Sequence, residues 1–394
     1  MASVRRFGPA GGVRQCSLAG GVRRFGLVGG VVLALVSGCS SDSGGTTSPG
    51  IGTGSGTRNV DIVVTPEGCP PSPARVDAGL IRFHVRNQNA SDVTEAELLA
   101  GSTILGEKEN LVPGLDGTFT LRLQPGRYTV YCPNAKQPRS DFVVTGENAS
   151  PTAAAATEAA SRYHQFVVAQ VQALVTETAT FCAAVKAGDL AAARRAYPAA
   201  RWHYEAIEPV AESFGDLDPA IDARLDDVAD PAEWTGFHRL EKALWQDNSL
   251  AGMTAVADRL QSDVRTLADL VATQTYQPAQ IANGAVELLD EIARSKVTGE
   301  EERYSHTDLY DIDANLAGSK AAFQAVEPIL RERDPALATT IDARFADVEA
   351  ALRPLARGTG WVSYETVDAA TRRNLAQRID ALAEPLSRVA AVVG

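Results

Sequence analysis

The hydrophobic period of this chain changes once and does not change back. From about Arg58 to Gly146, apolar residues alternate with polar ones or run together over four to seven positions. Examples are Val60-Asp-Ile-Val-Val64, Ile81-Arg-Phe-His-Val-Arg86, Gly117-Thr-Phe-Thr-Leu-Arg-Leu123 and Gly126-Arg-Tyr-Thr-Val-Tyr131, separated by Pro, Gly and Asn. Such runs predict short strands, and their spacing over about 90 residues predicts a small β-sandwich. From Ala153 to Gly394 the pattern is helical, with long Ala- and Leu-rich stretches and starts at Asp218-Pro219, Asp230-Pro231 and Asp334-Pro335. The chain is thus expected to hold two domains of different class, all-β over 58–146 and all-α over 153–394. The roughly 240 residues of the second suffice for a full core or two stacked bundles.

Two bundles are expected because the helical half repeats itself. Asp189-Leu190 recurs as Asp308-Leu309, Ala206-Ile-Glu-Pro209 as Ala325-Val-Glu-Pro328, and Ile221-Asp-Ala-Arg224 as Ile341-Asp-Ala-Arg344. The ordered series reads as a duplication of a helical unit, about 160–280 and 281–394. The copies differ where chemistry would sit. Tyr204-Glu205 becomes Phe323-Gln324, and nothing like His238-x-x-Glu241 follows Ile341-Asp342.

The first 38 residues carry five arginines, no acid, and an apolar run from Leu27 to Val36, followed by Val36-Ser37-Gly38-Cys39. The run is too short to span a bilayer and has the shape of an export signal. The small residues before Cys39 resemble a bacterial lipoprotein signal, with Cys39 as the lipidated residue, 1–38 as signal peptide and the Ser/Gly/Thr-rich 39–57 as a flexible tether. The expected location is the extracytoplasmic face of the cell membrane. The whole chain carries a net charge of −12, and losing the signal removes only positive charge. That balance disfavours nucleic acid, which needs clustered Lys and Arg, and suits cations.

His238 and Glu241 stand three apart on a helical pattern, so they share a face and offer an imidazole nitrogen beside a carboxylate. Glu205 and Glu208 are three apart on one expected helix and Asp222 lies early on the next. Consecutive helices of a bundle can turn such side chains inward together around iron, zinc or manganese. For Asp222, a pair with an arginine is the competing role. Glu302-Arg-Tyr-Ser-His-Thr-Asp-Leu-Tyr-Asp311 has no derivable role beyond helix-start caps at Ser305 or Thr307.

Gly236-Phe-His-Arg-Leu-Glu241, Tyr204-Glu-Ala-Ile-Glu-Pro-Val-Ala-Glu212 and the 302–311 stretch together resemble the imelysin-type domain of the EfeO family, extracytoplasmic components of bacterial iron uptake. Cys69-Pro, Glu95-x-Glu-Leu-Leu99, Gly106-Glu-Lys-Glu-Asn110, Pro113-Gly114 and Pro125-Gly-Arg-Tyr128 through Cys132 resemble the cupredoxin-like domain that precedes it in that family. The resemblance implies a multidomain chain, a cupredoxin-like sandwich followed by an imelysin-like domain. It implies metal ligation by His238 and Glu241, completed from Glu205, Glu208 and Asp222. The implied cargo is iron, with zinc or copper as alternatives. The implied partners are a membrane iron permease and a heme peroxidase component.

In the β segment a blue-copper centre is disfavoured, since it needs two His, a Cys and an axial Met. Residues 58–146 hold one His, His84, and no Met. Cys69 and Cys132, with Glu95, Glu97, Glu107 and Glu109, are candidate ligands by the resemblance. A Cys69–Cys132 disulfide, favoured by an oxidising exterior, is the competing reading and would remove both thiolates. Cys182 falls in an apolar helical run as a small hydrophobe. The expected function is iron capture and delivery to the permease, without catalysis. The rivals are an imelysin-type zinc metallopeptidase, which lacks His-Glu-x-x-His here, and a scaffold without metal.

Overall fold

The structure is a computed structural model that describes residues 57–101, 103–146, 153–228 and 230–394. The expected signal peptide, Cys39 and all of the tether but Thr57 lie outside the described residues.

Nine strands build the N-terminal region. They are β1 (Arg58–Val64), β2 (Pro71–Ser72), β3 (Arg75–Asp77), β4 (Gly79–Asn87), β5 (Ala96–Ala100), β6 (Thr103–Lys108), β7 (Asp116–Leu123), β8 (Gly126–Tyr131) and β9 (Arg139–Thr145). They form two sheets, ordered β2-β1-β4-β7 and β3-β9-β8-β5-β6. The β1/β4 and β3/β9 pairs are parallel. Alternation along β4 sends Ile81, Phe83 and Val85 inward. Phe83, opposite Phe119 in register, stacks on it at 4.8 Å and meets Phe142 of the other sheet edge-on at 5.4 Å, favourable geometry for aromatic pairs. Cys69 and Cys132 are bonded to each other and fully buried in this core.

The buried Asn87 ties the loops at one end. Its amide donates to the carbonyls of Ala90, Val93 and Leu111, and its oxygen accepts from Ala90 N–H. Those loops lead into Glu95 and Glu109.

The C-terminal region is helical: α1 (Ala153–Lys186), α2 (Leu190–Glu205), α3 (Leu217–Asp222), α4 (Gly236–Trp245), α5 (Thr254–Val271), α6 (Pro278–Arg294), α7 (Asp308–Arg333), α8 (Pro335–Leu352), α9 (Ala369–Leu386) and α10 (Val389–Val393). Asp189 and Asp334 cap α2 and α8 by accepting Ala192 and Leu337 N–H, with Pro335 opening α8 where its missing N–H costs nothing. Asp230-Pro231 starts no helix; it forms a turn in which Asp230 accepts Ala232 N–H. One contiguous apolar cluster runs from Ala159 to Val393 and serves both halves of the sequence repeat. The repeated segments adopt different shapes: Pro209 lies in a short 3-10 segment (Glu208–Phe214), whereas Pro328 lies inside α7.

Helix α6 carries the sandwich. Asn283 donates to Thr120 O at 2.7 Å, Gln280 to Ile104 O at 3.4 Å, and the Lys108 ammonium pairs with Glu287 and, at 3.4 Å, Asp290. Beside these contacts Gly284 admits the backbone of the Glu208 segment. A Cβ there would stand 1.8 Å from Pro209 O, so only glycine permits the approach.

Candidate metal site

Helix α4 begins where it does because of Gly236. Its φ is +84°, and a Cβ there would lie 2.2 Å from Ile221 O; glycine alone tolerates both. That contact sets the first turn of α4 against the last turn of α3 and brings His238 to Asp222. His238 and Glu241 are 1% and 0% exposed. The imidazole sits between two sets of carboxylates. Its Nδ1 is 3.2 Å from Glu241 Oε2 and 4.0 Å from Glu302 Oε1; its Nε2 is 3.3 Å from Glu301 Oε1 and 3.7 Å from Asp222 Oδ1. Each set offers three ligand atoms within 4.8 Å of one another. Nε2 has no hydrogen-bond partner: Glu301 is near but out of line.

Arg201 of α2, 0% exposed, is the central cation. It pairs with Glu205 and Asp222, with Glu302 at 2.7 Å, and with Glu301 and Asp311 at 3.3 Å. Lys296, also buried, donates to Glu205 at 2.9 Å and to both oxygens of Glu208 at 2.7 and 2.8 Å. Asn315 of α7 donates to the same two carboxylates. Buried charges need such partners, yet acids outnumber bases here, and the titration of the site reflects it. Burial pushes Glu205 up, but Arg201 and Lys296 outweigh it and hold the carboxyl at about 2. Glu208, sharing one ammonium with ionised Glu205, is raised by burial and by that neighbour's charge. Burial, then the charge of Glu241, lifts Glu302 to about 8. For His238, burial and Arg201 press the imidazole down, but Glu241, Glu301 and Asp222 outweigh them and carry it up to about 10.

An acidic cleft of about 430 Å³ reaches this cluster between sandwich and helices. Its carboxylates include Glu95 and Glu109 from the sandwich and Asp218, Asp222, Glu287, Glu291 and Glu301 from the helical region, with Arg224 and Arg294 as its cationic lining. Burial raises Glu291 to about 7 and Asp218 to about 6. Such a surplus of negative charge in a concave site concentrates cations.

Of the residues expected from the sequence, the structure brings His238, Glu241 and Asp222 together. Glu205 and Glu208 belong to neither three-ligand set and are engaged by Lys296. Asp222 meets its arginine partner as well, but that partner is Arg201 instead of the neighbouring Arg224, which pairs with Asp227 and Glu301. Arg201, Lys296, Glu301 and Glu302 were not anticipated as site residues. The signal for Arg201 was its place on the apolar stripe Ala193, Tyr197, Ala200, Tyr204, all buried, where a charge implies buried partners. The 302–311 stretch gains a role: Tyr304 and Ser305 N–H donate to Glu241 Oε1, both at 2.8 Å, and the Ser305 and Thr307 hydroxyls donate to Glu302.

In the sandwich, Glu97 of β5 faces Glu107 of β6 in register, and Glu95, Glu107 and Glu109 form a third set within 4.8 Å. Burial, then the charge of Glu97, raises Glu95 to about 8; burial, then Glu95, raises Glu109 to about 8. Cys69 and Cys132 form the disulfide that an oxidising exterior favours, so their thiolates, the other candidate role, are not available as ligands there.

The site draws histidine and carboxylates from helices α2–α4 and from the turn at Glu301-Glu302, and is reached through an acidic cleft walled on one side by a strand-rich module, an arrangement that suits cations. The chain belongs to the imelysin family, whose model matches residues 159–389, and is of the EfeO type. It is 39% identical over 344 residues to the "Iron uptake system component EfeO" of Escherichia coli O1:K1 / APEC, covering 85% of this chain and 91% of that one. The protein of the same name from Shigella flexneri matches at the same identity and coverage. The solved structure of an iron-regulated protein A precursor from Parabacteroides distasonis ATCC 8503 aligns at 16% identity with a TM-score of 0.49, over 63% of this chain and 97% of that one, too loose a likeness to carry an argument.

Proposed function

We propose that this protein captures iron outside the membrane and delivers it to a membrane permease of the same uptake system, held at the cell surface by lipid on Cys39. The relatives' iron-uptake name supports the cargo. The observation that carries the site is His238 Nε2, buried, without a hydrogen-bond partner, and facing Asp222 and Glu301 on the wall of the acidic cleft. Nitrogen with carboxylate oxygens suits iron, with zinc and copper as competitors. The Glu95, Glu107 and Glu109 set of a cupredoxin-like sandwich serves as an accessory cation site, and a heme peroxidase component acts upstream or alongside. The two helical halves descend from one duplicated bundle. The reading is of a carrier and not of a peptidase, because His238 is followed by Arg239 instead of the Glu of a His-Glu-x-x-His zinc motif, and the relatives are named for iron uptake.

Radiolabelled iron uptake by cells lacking the native protein and complemented with wild type, His238→Ala or Cys39→Ala tests the proposal. Uptake restored by wild type and lost with either substitution is expected. Full uptake by His238→Ala at equal protein level would sink the site, and full uptake by Cys39→Ala would sink the anchor.

A further inference from the structure

We infer that Glu241, the second member of the His-x-x-Glu pair, is a positioning residue that decides which nitrogen of His238 meets the cation, and is not itself a ligand. The inference rests on the reading of His238 as the capture residue and deepens it.

Two carboxylate sets flank the imidazole; both are ion-paired, Asp222 and Glu301 with Arg201 and Glu301 also with Arg224, but only the Nε2 set lines the large cleft. On the Nδ1 side both oxygens of Glu241 are committed. Oε1 accepts the backbone N–H groups of Tyr304 and Ser305 at 2.8 Å each, and Oε2 meets Nδ1 at 3.2 Å. Glu302 on that side is equally engaged. Its Oε1 accepts the Tyr197 hydroxyl at 3.0 Å and pairs with Arg201 Nε at 2.7 Å, and its Oε2 accepts the hydroxyls of Ser305 and Thr307. A cation placed between Nδ1 and Glu241 would break the histidine contact and compete with two backbone donors for a carboxylate that is 0% exposed.

On the Nε2 side the nitrogen has no partner, and Asp222 and Glu301 both line the cleft. A cation arriving through the cleft therefore meets Asp222 and Glu301, the carboxylates on the Nε2 side of the imidazole. Glu241 accepts Nδ1–H, which leaves the Nε2 lone pair for the cation, fixes the ring plane and makes the imidazole a stronger donor. The Tyr304-Ser305 backbone is the fixture that aims Glu241. The next residue, His306, lies at φ +55° with its ring turned away to Glu365 at 3.3 Å, so the turn presents two successive N–H groups to one carboxylate oxygen.

The test is two-bond proton–nitrogen NMR on the full chain with nitrogen-labelled imidazoles, loaded with gallium(III) as a diamagnetic stand-in for ferric iron. The His238 signal should keep a protonated Nδ1 while Nε2 takes the metal-bound shift. A metal-bound Nδ1 with a protonated Nε2 overturns the inference. Metal counting adds a second arm. Glu241→Gln, which keeps an acceptor oxygen, should still load one cation, with affinity weaker by about 10–100-fold, whereas Asp222→Asn combined with Glu301→Gln should load none at this site. A well-folded Glu241→Gln that loses stoichiometric binding as completely as His238→Ala makes Glu241 a ligand and refutes the inference while leaving the capture site standing. Full binding by His238→Ala and by the Asp222/Glu301 variant removes the capture site itself.

Discussion

Arg201→Met should destabilise the protein strongly at neutral pH and much less in acid. The substitution removes one guanidinium, fully buried, from five carboxylates: Glu205, Asp222, Glu301, Glu302 and Asp311. Glu205 alone gives a scale. Its carboxyl is held at about 2 against an ordinary value of 4.5, a difference that corresponds to about 3 kcal/mol of stability, shared between Arg201 and Lys296. Orphaning the other carboxylates adds to this, and removing one partner of a buried pair typically costs about 3–5 kcal/mol. The sign follows from the shifts. A depressed carboxyl contributes stability that is full above the unfolded value and is lost as pH falls toward 2. Carboxyls orphaned by the substitution have raised folded values, so their penalty applies above the unfolded value and fades below it. Both effects make the deficit largest near pH 7.5 and small by about pH 4. Urea unfolding should show the variant's midpoint lower by more than about 1 M near pH 7.5, closing toward wild type near pH 4. An equal deficit at both pH values, or none at neutral pH, would falsify the electrostatic account.

Cation loading should release at least about one proton per ion near pH 7.5, because an imidazole lifted to about 10 is protonated below that value and must lose its proton to ligate. Affinity then climbs as pH rises toward 10. Anaerobic calorimetry in buffers of different ionisation enthalpy reads the proton count, and heats independent of buffer contradict it. Gly284→Ala forces a Cβ against Pro209 O and should cost about 1–3 kcal/mol or more by overpacking, read as a lowered thermal midpoint; an unchanged midpoint contradicts the close approach. Replacing both Cys69 and Cys132 by Ala removes a link across 63 residues and should cost about 4 kcal/mol by chain entropy while leaving loading at His238 intact. Lost loading in a folded variant would tie the cysteines to the cation.

The strands whose faces differ most were legible: alternation in β4 and β7 follows from one face meeting the core. β5 escaped notice because it is buried on both faces, Glu97 included, so its sequence carries no alternation. Asp334-Pro335 starts a helix as its chemistry suggests, while Asp230-Pro231, with the same dipeptide, makes only a turn. His238, Glu241 and Asp222 were legible from helical spacing and element order. Glu301, Glu302 and Lys296 were not, since they lie in a short 3-10 turn and loop between α6 and α7 with no period to read. Only the fold shows that Arg201 and Lys296 pair with the cluster: Glu205 and Glu208 share the Lys296 ammonium, and Glu208 also lines the cleft.

The most direct measurement is metal counting by native mass spectrometry on the full chain after iron titration, aerobic and anaerobic, beside His238→Ala and Asp222→Asn. The account predicts that the wild-type chain carries one iron more than either variant, with both variants folded. Retention of that iron by both variants, or no iron on the wild type, would contradict it.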